Sequence, residues 1–112
     1  MNYKDKVARY NKCLDIMIEI NELRREYSPS IPEVIEFRKL GQDFKRSEDP
    51  NLKLLGARTI DYVRELHEMA TLLHYFSPDS RAVRKQEALL NKAKSGMTVA
   101  ILRIQGGELG GV

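Results

Sequence analysis

Apolar residues recur at spacings of three and four over most of the chain, which is the periodicity of amphipathic helices. The pattern is strongest over 50–76, where the two spacings alternate as a heptad seam without interruption. The seam consists of Leu52, Leu55, Thr59, Tyr62, Leu66, Met69, Leu73 and Phe76. A seam of this length predicts a long helix that packs against other helices.

Three further segments have a helical pattern, and short polar breaks separate them. The first covers 3–27, and its apolar arc is wide enough to be covered on two sides. The second begins near Ile31 and ends near Arg46. The fourth begins after Ser77 and ends at Gly96, because glycine is common just past the end of a helix.

Polar residues that can cap a helix precede three of the four segments. Ser30 and Glu33 fit a capping box for the second segment. Asp49 is followed by a proline at the first helical position of the third. Ser77 is expected to cap the fourth. Each cap would satisfy backbone N–H groups that the first helical turn leaves without partners.

Short connections favour consecutive helices that are antiparallel neighbours. The sequence therefore predicts an all-α fold, an antiparallel four-helix bundle with two long helices (the first and third) and two shorter ones. At about 1.5 Å per residue the long helices would be about 38 Å long, so their ends would overhang the shorter pair. Overhanging apolar surface needs a partner, most simply a second copy of the chain.

The segment 98–104 differs from the rest because it is rich in β-branched residues and almost wholly apolar. Such a run is typical of a buried strand, which would need a ladder in a partner or in another copy. We therefore predict a helical bundle over 1–96, and a C-terminal extended arm or short strand with a glycine-rich tail over 97–112. The alternative is that 98–104 continues the fourth segment as helix.

Composition favours one globular domain. The chain has 112 residues, of which 42% are hydrophobic and 31% are charged. No apolar run approaches the roughly 20 residues of a membrane span, and the charged N-terminus does not resemble a signal peptide. We expect a cytoplasmic protein without a membrane partner, in which the single cysteine, Cys13, is a small buried hydrophobe.

The formal net charge is +3 at pH 7, and the basic residues are concentrated in the last third of the chain. Four of them fall on the polar side of the fourth segment: Arg81, Arg84, Lys85 and Lys92. This row is expected to be a solvated face, to contact an acidic protein surface, or to bind nucleic-acid phosphates. No aromatic residue stands among the four to stack on a base.

Residues that could carry out chemistry are few. His67 and His74 are separated by two helical turns, about 10.5 Å of rise, which is too far for one metal ion. Carboxylate pairs from two helices can hold Mg²⁺ or Mn²⁺. The candidate pairs are Glu19 with Glu22, and Glu65 with Glu68. Because both lie on polar faces, we predict no metal site, no cofactor and no catalytic residue.

The predicted function is a non-enzymatic structural or adaptor role. The chain would self-associate or bind a protein partner through its wide apolar helices and its C-terminal arm. A component of a larger assembly, such as a viral particle, would suit its small size. One alternative is a small nucleic-acid-binding accessory protein that uses the basic face of the fourth helix, and another is a metal-dependent helical enzyme. The predicted interface residues are Tyr62, Leu66, Met69, Leu73, Phe76, Val99, Ile101 and Ile104.

Overall fold

The computed structural model describes the backbone of residues 3–22 and 26–110, and the side chains of residues 4–22 and 26–104. These residues form helices without any strand, and the helix packing supports a helical bundle. The chain divides into two compact units, Met1–Leu40 and Gly41–Val112. The helices are α1 (Tyr3–Asn21), α2 (Pro32–Lys45), α3 (Pro50–Tyr75) and α4 (Arg81–Gly110).

The predicted helix lengths are wrong at two places. The long pair is α3 and α4, with 26 and 30 residues, whereas α1 and α2 have 19 and 14. α1 ends at Asn21, before the predicted limit of 27, and residues 26–28 are not helical. Pro29 follows this stretch, and a proline disfavours helical backbone in the residue before it. Residues 23–25 lie outside the described part of the chain.

Asp49 caps α3 as predicted, because its carboxylate accepts a hydrogen bond from the Asn51 backbone N–H at 2.9 Å. The capping box at the start of α2 is not formed. Pro32 occupies the first helical position there, which leaves Ser30 one residue too early to cap it. The Ser30 hydroxyl instead lies 2.8 Å from the hydroxyl of Ser28.

Ser80 caps α4, and the assignment of this role to Ser77 is wrong. α4 begins at Arg81, and the Val83 backbone N–H donates to Ser80 Oγ at 3.3 Å. The Ser77 hydroxyl accepts from the Asp79 backbone N–H at 3.3 Å, within the turn that precedes the helix. Both serines have a hydroxyl that can cap a helix, and the cap is Ser80 because it directly precedes the first helical residue.

α4 does not end at Gly96, and the strand predicted over 98–104 is wrong because this segment is helical. The predicted boundary between a bundle and an arm therefore falls inside a continuous helix. Met97 and Ala100 are 3% and 1% exposed, so a spacing of three directs both of them inward. A strand would have directed them to opposite faces, and burial of both therefore favours the helix.

In the unit Met1–Leu40, α1 packs against the first half of α2. The rings of Tyr10 and Phe37 have centroids 4.7 Å apart, and both side chains are buried. Beside them the Arg9 guanidinium donates two hydrogen bonds to the Glu36 carboxylate. This pair raises the pKa of Arg9 and lowers the pKa of Glu36, chiefly through the hydrogen bonds themselves.

In the unit Gly41–Val112, the end of α2 crosses α3 at two glycines. A Cβ atom placed on Gly56 would lie 2.2 Å from the Lys45 backbone nitrogen and 2.4 Å from the Gly41 carbonyl oxygen. One on Gly41 would lie 2.9 Å from Cγ2 of Thr59, a side chain with no exposed surface. The two helices therefore touch backbone to backbone, which only glycine permits.

Candidate interaction surfaces

The heptad seam of α3 changes from buried to exposed along its length. Tyr62 and Leu66 are 2% and 5% exposed, so these two predicted interface residues belong to the chain's own core. Burial raises the pKa of Tyr62 to about 12. Leu73 and Phe76 continue the seam but are 41% and 49% exposed, with Met69 half-buried between the two regions. The candidate surface is therefore the C-terminal end of the seam, formed by Leu73 and Phe76.

A second apolar surface lies on α4, in the segment that was predicted to be a strand. Val99 is 48% exposed, whereas Ile101 and Ile104 are half-buried. Leu102 is 59% exposed, the largest value among the apolar residues of this segment. The sequence analysis did not include Leu102 among the interface residues, and a strand would have directed it to the face opposite Val99 and Ile101. The helix instead directs Val99 and Leu102 outward together.

The four cations predicted on one face of the fourth helix, Arg81, Arg84, Lys85 and Lys92, are all exposed on α4. We call them the α4 basic face. Lys94 and Arg103 are exposed on the same helix, and Glu87 is the one acidic residue among its described side chains. The structure therefore brings the predicted residues together and leaves them open to solvent.

Gln86 makes a buried polar contact between α3 and α4 that the sequence pattern does not predict. Its side chain is 6% exposed. The amide Nε2 donates to the carbonyl oxygen and to the carboxylate Oε2 of Glu65, both at 3.0 Å. Glu65 Oε1 accepts from Arg64 Nε at 3.2 Å. Both carboxylate oxygens of Glu65, which belongs to one of the two candidate carboxylate pairs, are thus hydrogen-bonded to the protein.

Metal-binding geometry is absent from the described side chains, since no three His, Cys, Asp or Glu residues there lie close enough to share an ion. His67 and His74 are exposed on α3. The His74 ring meets the ring of the adjacent Tyr75 edge to face, with centroids 5.0 Å apart. Among the described side chains, neither histidine belongs to a group of three or more potential metal ligands.

Cys13 is buried as predicted, with 2% of its surface exposed. Burial, followed by the nearby charges of Glu36 and Glu33, raises the pKa of the thiol to about 11. We expect native Cys13 to react with a thiol-specific disulfide reagent at least about 100-fold more slowly at about pH 8 than the unfolded chain does, because little thiolate is present. Equal rates with and without denaturant would contradict this expectation.

The same pKa shift predicts a dependence of stability on pH. The folded pKa lies above the ordinary value of 9.0, so Cys13 leaves the free energy of unfolding unaffected below that value. As the pH rises from 9.0 toward about 11, the unfolded chain loses the proton more readily and the protein becomes less stable. Chemical denaturation at several pH values, compared with Cys13→Ser, measures this contribution.

None of the helices in the described part of the chain combines the length and the apolar character that crossing a lipid bilayer requires. Comparison of the chain with family models, with curated proteins and with solved structures gives no match.

Proposed function

We propose that the protein is a non-enzymatic structural or adaptor protein, and that it self-associates through the exposed end of the α3 seam. The underlying fold is an antiparallel bundle. Two contacts support an antiparallel arrangement of α3 and α4. Gln86 contacts Glu65, and Gly96, which is later in α4, lies near Arg58, which is earlier in α3. A role as one component of a larger particle in the cytoplasm would suit such a protein.

The observation that carries this proposal is the exposure of Leu73 and Phe76. They keep the spacing of the buried residues Tyr62 and Leu66, so one apolar stripe runs from the core to the helix end. Isolated apolar residues are common on protein surfaces, but a stripe that is continuous with the core is typical of a helix that extends into an interface. The occupant that fits is the same stripe in a second copy, because matching seams pack by the same knobs-into-holes geometry.

The exposed fractions of Leu73 and Phe76 determine how much their burial is expected to contribute to the free energy of association. Complete burial of a leucine or phenylalanine contributes about 1.5–3 kcal/mol, and roughly half of each is already buried, so about 1 kcal/mol per side chain remains. Two copies related by a two-fold axis bury four such side chains, about 4 kcal/mol in all. Their loss should weaken association by roughly three powers of ten.

The test is sedimentation velocity over a range of protein concentrations. We expect the sedimentation coefficient of the unmodified chain to increase with concentration. The double variant Leu73→Ser with Phe76→Ser should remain monomeric throughout. Tyr75→Ser is the matched control, because Tyr75 is 75% exposed on the same turn but lies about 160° around the helix from Leu73. It should associate as the unmodified chain does.

Two outcomes would contradict the proposal. One is a sedimentation coefficient of the unmodified chain that does not change with concentration. The other is association that persists in the double variant while far-UV circular dichroism shows an unchanged helical content. The further double variant Val99→Ser with Leu102→Ser tests the apolar surface of α4 separately, since those side chains are 48% and 59% exposed.

A further inference from the structure

The α4 basic face forms a straight row on one side of a helix. At about 100° per residue, Arg81, Lys85 and Lys92 fall within about 40° of one another around the axis, with Arg84 flanking them. The distance along the axis from Arg81 to Lys92 is about 16 Å. Glu87 lies about 140° from the line through Arg81, Lys85 and Lys92, and about 60° from Arg84. This side of the helix therefore carries a net positive charge on a rigid element.

The four basic-face cations, unlike Arg9, Arg58 and Arg64, have no carboxylate partner in the described part of the chain. Arg9 is paired with Glu36 on α2, and both Arg58 and Arg64 lie within ion-pair distance of Asp61 on α3. No ion pair or side-chain hydrogen bond of the four basic-face residues is found among the described residues. Their charges are therefore not neutralised by the side chains around them.

We propose that the α4 basic face binds the phosphate backbone of duplex nucleic acid without regard to sequence. Each strand of a duplex carries one negative charge per about 3.4 Å of the axis, so a row of about 16 Å spans about five phosphates of one strand. Four cations on a rigid row can therefore each contact a phosphate. This binding is independent of the self-association surface, because Leu73 and Phe76 lie on α3.

The chemistry of the face favours a duplex over a single strand. Proteins that bind single strands combine basic residues with aromatic side chains on which bases stack. The described side chains of α4, residues 81–104, include no aromatic residue. Binding should therefore be electrostatic and sensitive to salt.

The experiment is fluorescence anisotropy of a labelled short duplex, at salt concentrations between about 50 mM and about 200 mM. With about four phosphate contacts, we expect the logarithm of the binding constant to fall with the logarithm of salt with a slope of about −3 to −4. Glutamine at all four positions should weaken binding at least about 10-fold at the lower salt and reduce the slope toward zero. The substitutions are Arg81→Gln, Arg84→Gln, Lys85→Gln and Lys92→Gln.

The matched control removes two arginines and two lysines from exposed positions on α2, α3 and the turn between them, which gives the same change in net charge. Its substitutions are Arg38→Gln, Lys39→Gln, Arg46→Gln and Lys53→Gln. We expect this variant to bind within about 3-fold of the unmodified chain, because the row on α4 remains intact.

Four outcomes would overturn the proposal. They are absence of duplex binding by the unmodified chain at the lower salt, equal losses in the two variants, tighter binding to a single strand of the same sequence, and tighter binding to phosphatidylserine vesicles than to the duplex. The last would assign the face to an anionic lipid surface. Sedimentation velocity of both variants shows whether they still self-associate. A loss of duplex binding can therefore be distinguished from a loss of self-association.

Discussion

Replacing Gly56 with alanine is expected to destabilise the protein by roughly 3 kcal/mol, because the new methyl group has no space. A Cβ atom at this position would lie 2.2 Å from a backbone nitrogen and 2.4 Å from a carbonyl oxygen of α2. Backbone atoms cannot rotate away as a side chain can, so α2 and α3 would have to move apart. The gain of about 1 kcal/mol in helix propensity is too small to compensate.

Gly96→Ala is the matched control for this prediction. Both glycines are inside helices, but a Cβ atom on Gly96 would meet only the Arg58 side chain, with Cδ at 3.3 Å. That arginine is half exposed and flexible, so it can yield. We expect Gly96→Ala to be about 0.5 kcal/mol more stable than the unmodified protein. Urea denaturation followed by circular dichroism measures both changes, and a Gly56→Ala protein as stable as Gly96→Ala would contradict the crossing geometry.

Replacing Phe37 with alanine is expected to destabilise the protein by about 3–5 kcal/mol, the usual cost of removing a buried aromatic side chain. Phe37 has no exposed surface, and its ring packs against Tyr10 with centroids 4.7 Å apart. The substitution removes that ring contact and leaves a cavity between α1 and α2. The loss should appear as a lower midpoint in urea denaturation.

Ile35→Ala serves as the control on the same helix, because Ile35 is 42% exposed. Its loss should cost about 1–2 kcal/mol, clearly less than the loss of the Phe37 ring. If the two alanine variants unfolded at the same urea concentration, the packing of α1 against α2 through Phe37 would be contradicted.

Much of the architecture could be predicted from local pattern. Asp49 followed by Pro50 determines where α3 begins, and the cap is confirmed by the hydrogen bond to the Asn51 backbone N–H. The seam from Leu55 to Leu66 is buried because its spacing matches the helical period. Such signals involve residues that are close in sequence, so they can be read without knowing what packs against them.

The errors arose where distant residues decide the local structure. The sequence pattern predicts the end of a helix at Gly96, whereas this residue lies inside α4 next to Arg58. The β-branched segment 98–104 was predicted as a strand, but the burial of Met97 and Ala100 favours a helix. In each case a tertiary contact outweighs an intrinsic preference of modest size.

Of the candidate surfaces, too, only the features determined by residues close in sequence could be predicted. The exposure of the four basic-face residues could be predicted, because exposed charges follow the helical period of their own segment. The apolar surface could be predicted only in part, because the seam has a boundary between Leu66, which is buried, and Leu73, which is exposed. Nothing in the spacing of the seam marks that boundary.

Methyl NMR of the unmodified protein, with labelled leucines, between about 10 µM and about 1 mM tests self-association through the end of the α3 seam most directly. We expect the resonances of Leu73 to shift or broaden as the concentration rises, while those of Leu66 stay unchanged because this side chain is buried within the chain. Leu73 resonances that do not depend on concentration would contradict self-association through the end of the α3 seam.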